Sequence, residues 1–166
     1  MEERLEELET ILSKELDIHN SLLEVTKEFS EAIKENDIEL IRKKTTEQDE
    51  HICSIERLEE ARNDCCRSIS GQSDSISDSV RFSHILDIAP VSWKKRLATL
   101  QTSLKSIIQE LASINTSNRI LLEEADRIIG KTLTCFYQSE KASVSYSQYG
   151  KASVKHSEFR YYNNVI

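Results

Sequence analysis

Three glycines and a single proline in 166 residues are too few for the many tight turns of a β-sandwich or barrel. Aromatic residues are also scarce, at 6%, while charged residues reach 31%, the balance found in long helices and coiled coils. Long apolar runs are missing: stretches such as Ile120-Leu121-Leu122 fall far short of a membrane span, so no membrane insertion is expected. Positive charge is in deficit, with 22 Lys and Arg against 29 Asp and Glu, a net −7 that repels phosphate backbones and argues against nucleic-acid binding. The start, MEERLEELE, has neither the basic opening nor the apolar run of a secretory signal. Cys53, Cys65, Cys66 and Cys135 form no C-x-x-C pair, so reduced thiols in a cytoplasmic protein are expected.

What is present is helical periodicity. Leu5, Leu8, Leu12, Glu15, His19, Leu22, Thr26, Phe29 and Ile33 alternate steps of three and four, predicting a first helix over about 2–35. Ile11, Ile18, Val25 and Ala32 add a flanking strip that widens its buried face. Asn36 suits a left-handed helix end and Asp37 an N-cap, so Asn36-Asp37 reads as a tight turn between antiparallel helices. A second helix over about 38–68 carries Ile38, Ile41, Thr45, Gln48, Ile52, Ile55, Leu58, Arg62, Cys65 and Ile69, a seam that is polar in its middle. A turn at 36–37 makes residue i face about 73−i across the pair. The serine-rich stretch 69–79 reads as a linker and 80–89 as a short helix (Val80, Ile85, Leu86, Ile88) ahead of Pro90.

The third long helix, over about 92–137, has the clearest seam: Trp93, Leu97, Leu100, Leu104, Ile107, Leu111, Ile114, Asn118, Leu121, Ala125, Ile128 and Thr132. Lys94, Lys95 and Arg96 sit at its start, where positive charge opposes the helix dipole. The expected fold is all-α: an antiparallel three-helix bundle or coiled coil over 1–137, with a short extra helix before helix three and a flexible C-terminal arm over 138–166. In that arm Lys141-Ala-Ser-Val-Ser-Tyr-Ser-Gln-Tyr-Gly150 is echoed by Lys151-Ala-Ser-Val-Lys-His-Ser-Glu-Phe-Arg160, and all five tyrosines lie at or beyond Tyr137. The arm is locally basic on an acidic body and reads as a segment that orders on a partner.

Catalytic signatures are missing. No phosphate-cradling glycine loop, nucleophile elbow or H-E-x-x-H is present, so neither an enzyme nor a cofactor is expected. Glu15/His19 and Glu47/His51 are each four apart and face one another across the turn, as in a metal-binding helical bundle. The spacing is one residue too long and the third helix offers no seam carboxylate, so packed histidines are the preferred reading and no metal is expected. Asn118 interrupts the main seam and Asn115 a parallel strip, Ile108, Leu122, Ile129 and Phe136. Two amides on one face read as a structural polar layer, with Thr45, Gln48 and Arg62 as candidate partners.

Asn115-x-x-Asn118-x-x-Leu121-Leu122 late in a long helix, followed by Tyr146-x-x-x-Gly150 beyond its end, resembles the FlgN family of flagellar type III export chaperones. The amphipathic first helix, the Asn36-Asp37 turn, and Glu47 ahead of Ile52, Leu58 and Arg62 support the likeness. The resemblance implies a small chaperone that works without ATP on hook–filament junction proteins of the FlgK/FlgL type. It would bind their C-terminal regions, prevent premature assembly and deliver them to the type III export gate, with the flagellar export apparatus as its second partner. The family's substrate-binding region is C-terminal, which maps here onto the end of the third helix and the arm. Independently, Ile128, Ile129, Leu133, Phe136 and Tyr137 continue an apolar stripe that Val144, Tyr146 and Tyr149 extend, a surface suited to a partner helix. A generic coiled-coil adaptor is the rival reading, and the same helices leave a homodimer open.

Overall fold

The computed structural model of the chain describes residues 1–71 and 82–141, with side chains through 137, and the backbone of 145–146 and 152–153. Four helices dominate: α1 (Glu2–Glu35), α2 (Ile38–Ser70), α3 (Phe82–Ile88) and α4 (Val91–Lys141). The described residues are all-α apart from Ser145–Tyr146, which pairs antiparallel with Ala152–Ser153 where only a flexible arm was expected. Of the four paired residues only Tyr146 is a strong strand former, and each strand comes from one copy of the decapeptide echo. The chain divides after Leu121 into two compact units.

The turn between α1 and α2 is built as its residues dictate. Asn36 takes left-handed angles (φ 55°), and the amides of Asn36 and Asp37 close on the carbonyls of Ile33 and Ala32. Asp37 caps α2, its carboxylate accepting from the Leu40 amide at 3.0 Å. Asp37→Ala is therefore expected to cost about 1 kcal/mol in a urea melt, whereas Asn36→Gly, which accepts the same angles, should stay within about 0.5 kcal/mol of the parent. Helix α2 runs past the expected end at Ser68 and stops at Gly71, which is left-handed (φ 69°). The rest of the serine-rich linker and Val80 lie outside the described residues.

Helices α1 and α2 pack antiparallel, close to the facing that a turn at 36–37 dictates: Arg62 meets Glu15, Gln48 meets Thr26 and Lys44 meets Glu28. In α1 the buried face drifts from the expected seam, taking Leu23 and Ser30 where Leu22 and Phe29 were expected. A straight helix drifts by about 20° per heptad against a strict seven-residue repeat, which moves the buried row onto neighbouring positions. In α2 Thr45 is exposed and bonds back to the Ile41 carbonyl, so it is no seam residue.

The basic start of α4 is compensated locally. Pro90 supplies the carbonyl that begins the helix, accepting from the amides of Trp93 and Lys94. Lys94 donates to the Asp87 carbonyl at 3.0 Å, and Arg96 pairs with Glu9 of α1 and stacks over Trp93 at 4.5 Å. Further along, Lys27 of α1 meets Glu110, so within residues 1–121 the two helices advance in the same direction. The buried apolar cluster draws Leu5, Leu8 and Leu12 from α1, Cys65 and Cys66 from α2, Ile85 and Ala89 from α3 and its exit, and Leu97 and Leu104 from α4.

Candidate functional site

On α4 the expected seam is buried at Leu97, Leu104, Leu111 and Asn118, and then burial ceases. Every residue from Arg119 to Tyr137 is exposed, although the apolar periodicity continues unbroken through them. Leu121, Leu122, Ala125, Ile128, Ile129, Leu133 and Phe136 fall on one side of the helix at steps of three, four and seven, with Glu123, Glu124, Arg127 and Lys131 on the other. Ile128 and Ile129 are 57% and 58% exposed and Phe136 67%. Covering such a side chain fully is worth about 1.5–3 kcal/mol, so burial of this face against an apolar surface would be favourable. Helix propensity keeps the segment helical meanwhile: it has no proline, and Glu124 pairs with Arg127 at 3.0 Å. A side chain added at Gly130, the one glycine in this run, would meet nothing within 4 Å.

The expected binding residues Ile128, Ile129, Leu133, Phe136 and Tyr137 thus share one exposed helical segment. Tyr146 lies in the two-residue strand pairing, while Val144, Tyr149 and Gly150 fall outside the described residues. Ile120, Leu121 and Leu122, ahead of Ile128 on α4, are exposed as well. Three consecutive apolar residues on a helix cannot all face one groove, a signal that was available in the sequence.

The polar layer around the two asparagines takes a different form from the expected one. Asn118 is 4% exposed, but Asn115 faces solvent. Gln48 donates instead to Thr26 at 3.0 Å, and Arg62 to Glu15 at 2.6 Å. The Asn118 Nδ2 group has no hydrogen-bond partner among the described residues.

The carboxylates of the Glu/His constellation are each engaged by a cation of the chain. Glu15 is fully buried and engaged by Arg62, while the His19 ring nitrogen Nδ1 lies 2.8 Å from the Glu15 backbone carbonyl. Glu47 is taken by Lys44 at 2.7 Å, whose hydrogen bond holds that carboxyl below the usual range. Among the described residues no group of three His, Cys, Asp or Glu is placed to hold a metal ion. What sequence reasoning missed here is that Arg62 neutralises Glu15, because the two lie far apart in the chain. Burial nevertheless wins over the guanidinium and raises the Glu15 carboxyl above its ordinary value.

All four cysteines are free thiols. Burial pushes Cys65 up to about 11 and raises Cys66 as well. A thiol reagent at pH 8 is therefore expected to label exposed Cys53 and Cys135 within minutes and Cys65 and Cys66 only on unfolding, as peptide mass mapping would show. A groove beside α1 and the start of α4 is lined by Glu9, Lys14, Lys95 and Arg96 with several hydroxyls, a mixture of charge that selects no single ligand.

Among the described residues no helix is long and apolar enough to cross a membrane. No curated protein and no solved structure matches the chain. One family does: the pattern described as FlgN protein matches residues 1–153, which covers both the helices and the strand pairing. With that match over nearly the whole chain, the chain belongs to the FlgN family of flagellar export chaperones.

Proposed function

We propose that this chain covers the C-terminal regions of hook–filament junction proteins of the FlgK/FlgL type in the cytoplasm, prevents their premature assembly and delivers them to the type III export gate. The observation that carries this reading is the run from Arg119 to Tyr137, helical, apolar on one side and exposed throughout. A subunit end that forms helical contacts only after assembly needs such a face beforehand, because its own apolar stripe would otherwise aggregate. Ile128, Ile129, Leu133, Phe136 and Tyr137 supply the face, and residues 138–166, with Val144, Tyr146 and Tyr149, extend it on binding. The body that carries it is an antiparallel three-helix arrangement of α1, α2 and α4.

Deleting residues 138–166 is expected to abolish binding of a purified junction-protein C-terminal segment, read by calorimetry, while leaving the helical melt nearly intact. Equal binding by the truncated protein would overturn the role of the arm. No binding by either protein would overturn the chaperone reading itself.

A further inference from the structure

Residues 1–121 are held very unevenly. The apolar cluster lies wholly at one end, where the first turns of α1, the last of α2, α3 and the start of α4 meet. Past Leu12 the buried residues of α1 are Glu15, His19, Leu23, Thr26, Ser30 and Ala32, so polar groups fill most of the row. Across from them, α2 buries Ile55 alone, and Ile38 and Ile52 are exposed. Ser30 and His19 bond to carbonyls of their own helix, which fills space without tying α1 to its neighbours, and Thr26 does the same while also accepting from Gln48. Gln48 to Thr26 and Lys44 to Glu28 tie α1 to α2 across this half, the exposed Lys27–Glu110 pair ties α1 to α4, and Glu15 to Arg62 closes it off from the apolar end.

Two buried polar atoms without partners among the described residues flank the same stretch. One is Glu15 Oε1; the other is Asn118 Nδ2. Glu110 meets Lys27, and Asn118 lies eight residues further along α4, which sets it level with the Asn36-Asp37 turn at ~1.5 Å per residue in both helices. A buried amide left open costs stability in the closed form and gains a partner only when its surroundings change.

We propose that the half of the α1–α2 hairpin beyond the Glu15–Arg62 pair opens as one unit while the apolar end stays packed, and that opening bares Leu111 and Asn118 of α4. Cooperative units of this kind follow contact density, and the fully buried apolar side chains of this one are Leu23, Ala32 and Ile55, with Leu22, Val25, Phe29, Ile33 and Ile41 only half-buried. On the chaperone reading, on which this second consequence alone rests, the bared stretch takes the client's amphipathic helix. Leu111, Ile114 and Asn118 belong to the same three-four seam as Leu121, Ala125 and Ile128, and the client supplies an acceptor for the Asn118 amide.

Hydrogen exchange of the full chain, followed by mass spectrometry, tests the opening without any partner. Peptides within 15–60 are expected to exchange at least about tenfold faster than those covering 2–12, 63–70 and 97–104. Thr26→Leu with Gln48→Leu, which replaces the polar tie by apolar contact, should slow only the 15–60 peptides. Equal rates at both ends, or equal slowing of both by the double variant, would overturn the proposal. With a junction-protein C-terminal segment bound, peptides over 104–118 should gain protection while 15–60 lose it. A bound segment that leaves both unchanged would remove the docking step, and a segment that fails to bind would remove the chaperone reading while the free-chain rates still decide the opening.

Discussion

Arg62→Ala is expected to lower the stability of the chain by about 3–5 kcal/mol at neutral pH, the loss typical when one partner of a buried ion pair is removed. Glu15 is fully buried and receives the Arg62 guanidinium at 2.6 Å through one oxygen, while the other oxygen has no partner among the described residues. Without Arg62 the carboxylate keeps its desolvation cost and loses the guanidinium bond that offsets it. The pair as a whole is a different matter. Glu15→Leu combined with Arg62→Met removes both charges with little change in volume, and its stability should equal or exceed the parent's by up to about 4 kcal/mol. A double-mutant cycle by urea denaturation separates the two quantities. An Arg62→Ala cost below about 1 kcal/mol would show that water reaches Glu15 and replaces the guanidinium.

The pH dependence follows from the same residue. Burial raises the folded-state Glu15 carboxyl above its unfolded value, against the pull of Arg62. The folded chain therefore holds this proton more tightly than the unfolded chain does. Between the unfolded and folded values the contribution of Glu15 to stability falls as pH rises, and below both it is complete. Glu15→Gln should remove that component, so the difference between parent and variant melts changes across the mildly acidic range and is flat on either side. Arg62→Ala raises the Glu15 carboxyl further and widens the window upward.

Much of the fold was legible because it depends on local chemistry. Asn36 and Asp37 announce a left-handed helix end and a cap, and both serve in those roles. The seam of α4 could be read residue by residue, since 3.6-residue periodicity is a property of one helix alone. Partner choice across helices was not legible in the same way. Gln48 and Arg62 were visible as polar seam positions, but which residue each would meet depends on rotation of α1 about its axis. That rotation drifted enough to bury Leu23 and Ser30 in place of Leu22 and Phe29. Nor could periodicity show where burial along α4 ends, between buried Asn118 and exposed Leu121. Leu111 and Leu121 look alike in sequence, and only the length of the neighbouring helices distinguishes them.

Ile128→Asp combined with Ile129→Asp is expected to weaken binding of a junction-protein C-terminal segment by at least about 100-fold, about 2.7 kcal/mol, while shifting the melt only slightly. Both side chains are more than half exposed, so the folded chain loses little packing when they change. The cost to the helix itself is the lower propensity of aspartate, up to about 0.7 kcal/mol per residue. A docked apolar helix would instead have to bury two carboxylates with no cation opposite them, which costs several kcal/mol unless they take up protons. Lys131→Asp is the control, because Lys131 is exposed on the polar side of the same helix and its change to aspartate costs at least as much helix propensity per residue as that of isoleucine. It should leave binding within about threefold of the parent, since surface substitutions away from a contact change free energies by about 0.5 kcal/mol. Equal losses in both variants would assign the effect to the helix rather than to its apolar side. A large drop in the melt of the double variant alone would mean that Ile128 and Ile129 are covered by the chain itself in solution, and the docking face would then have to be sought elsewhere.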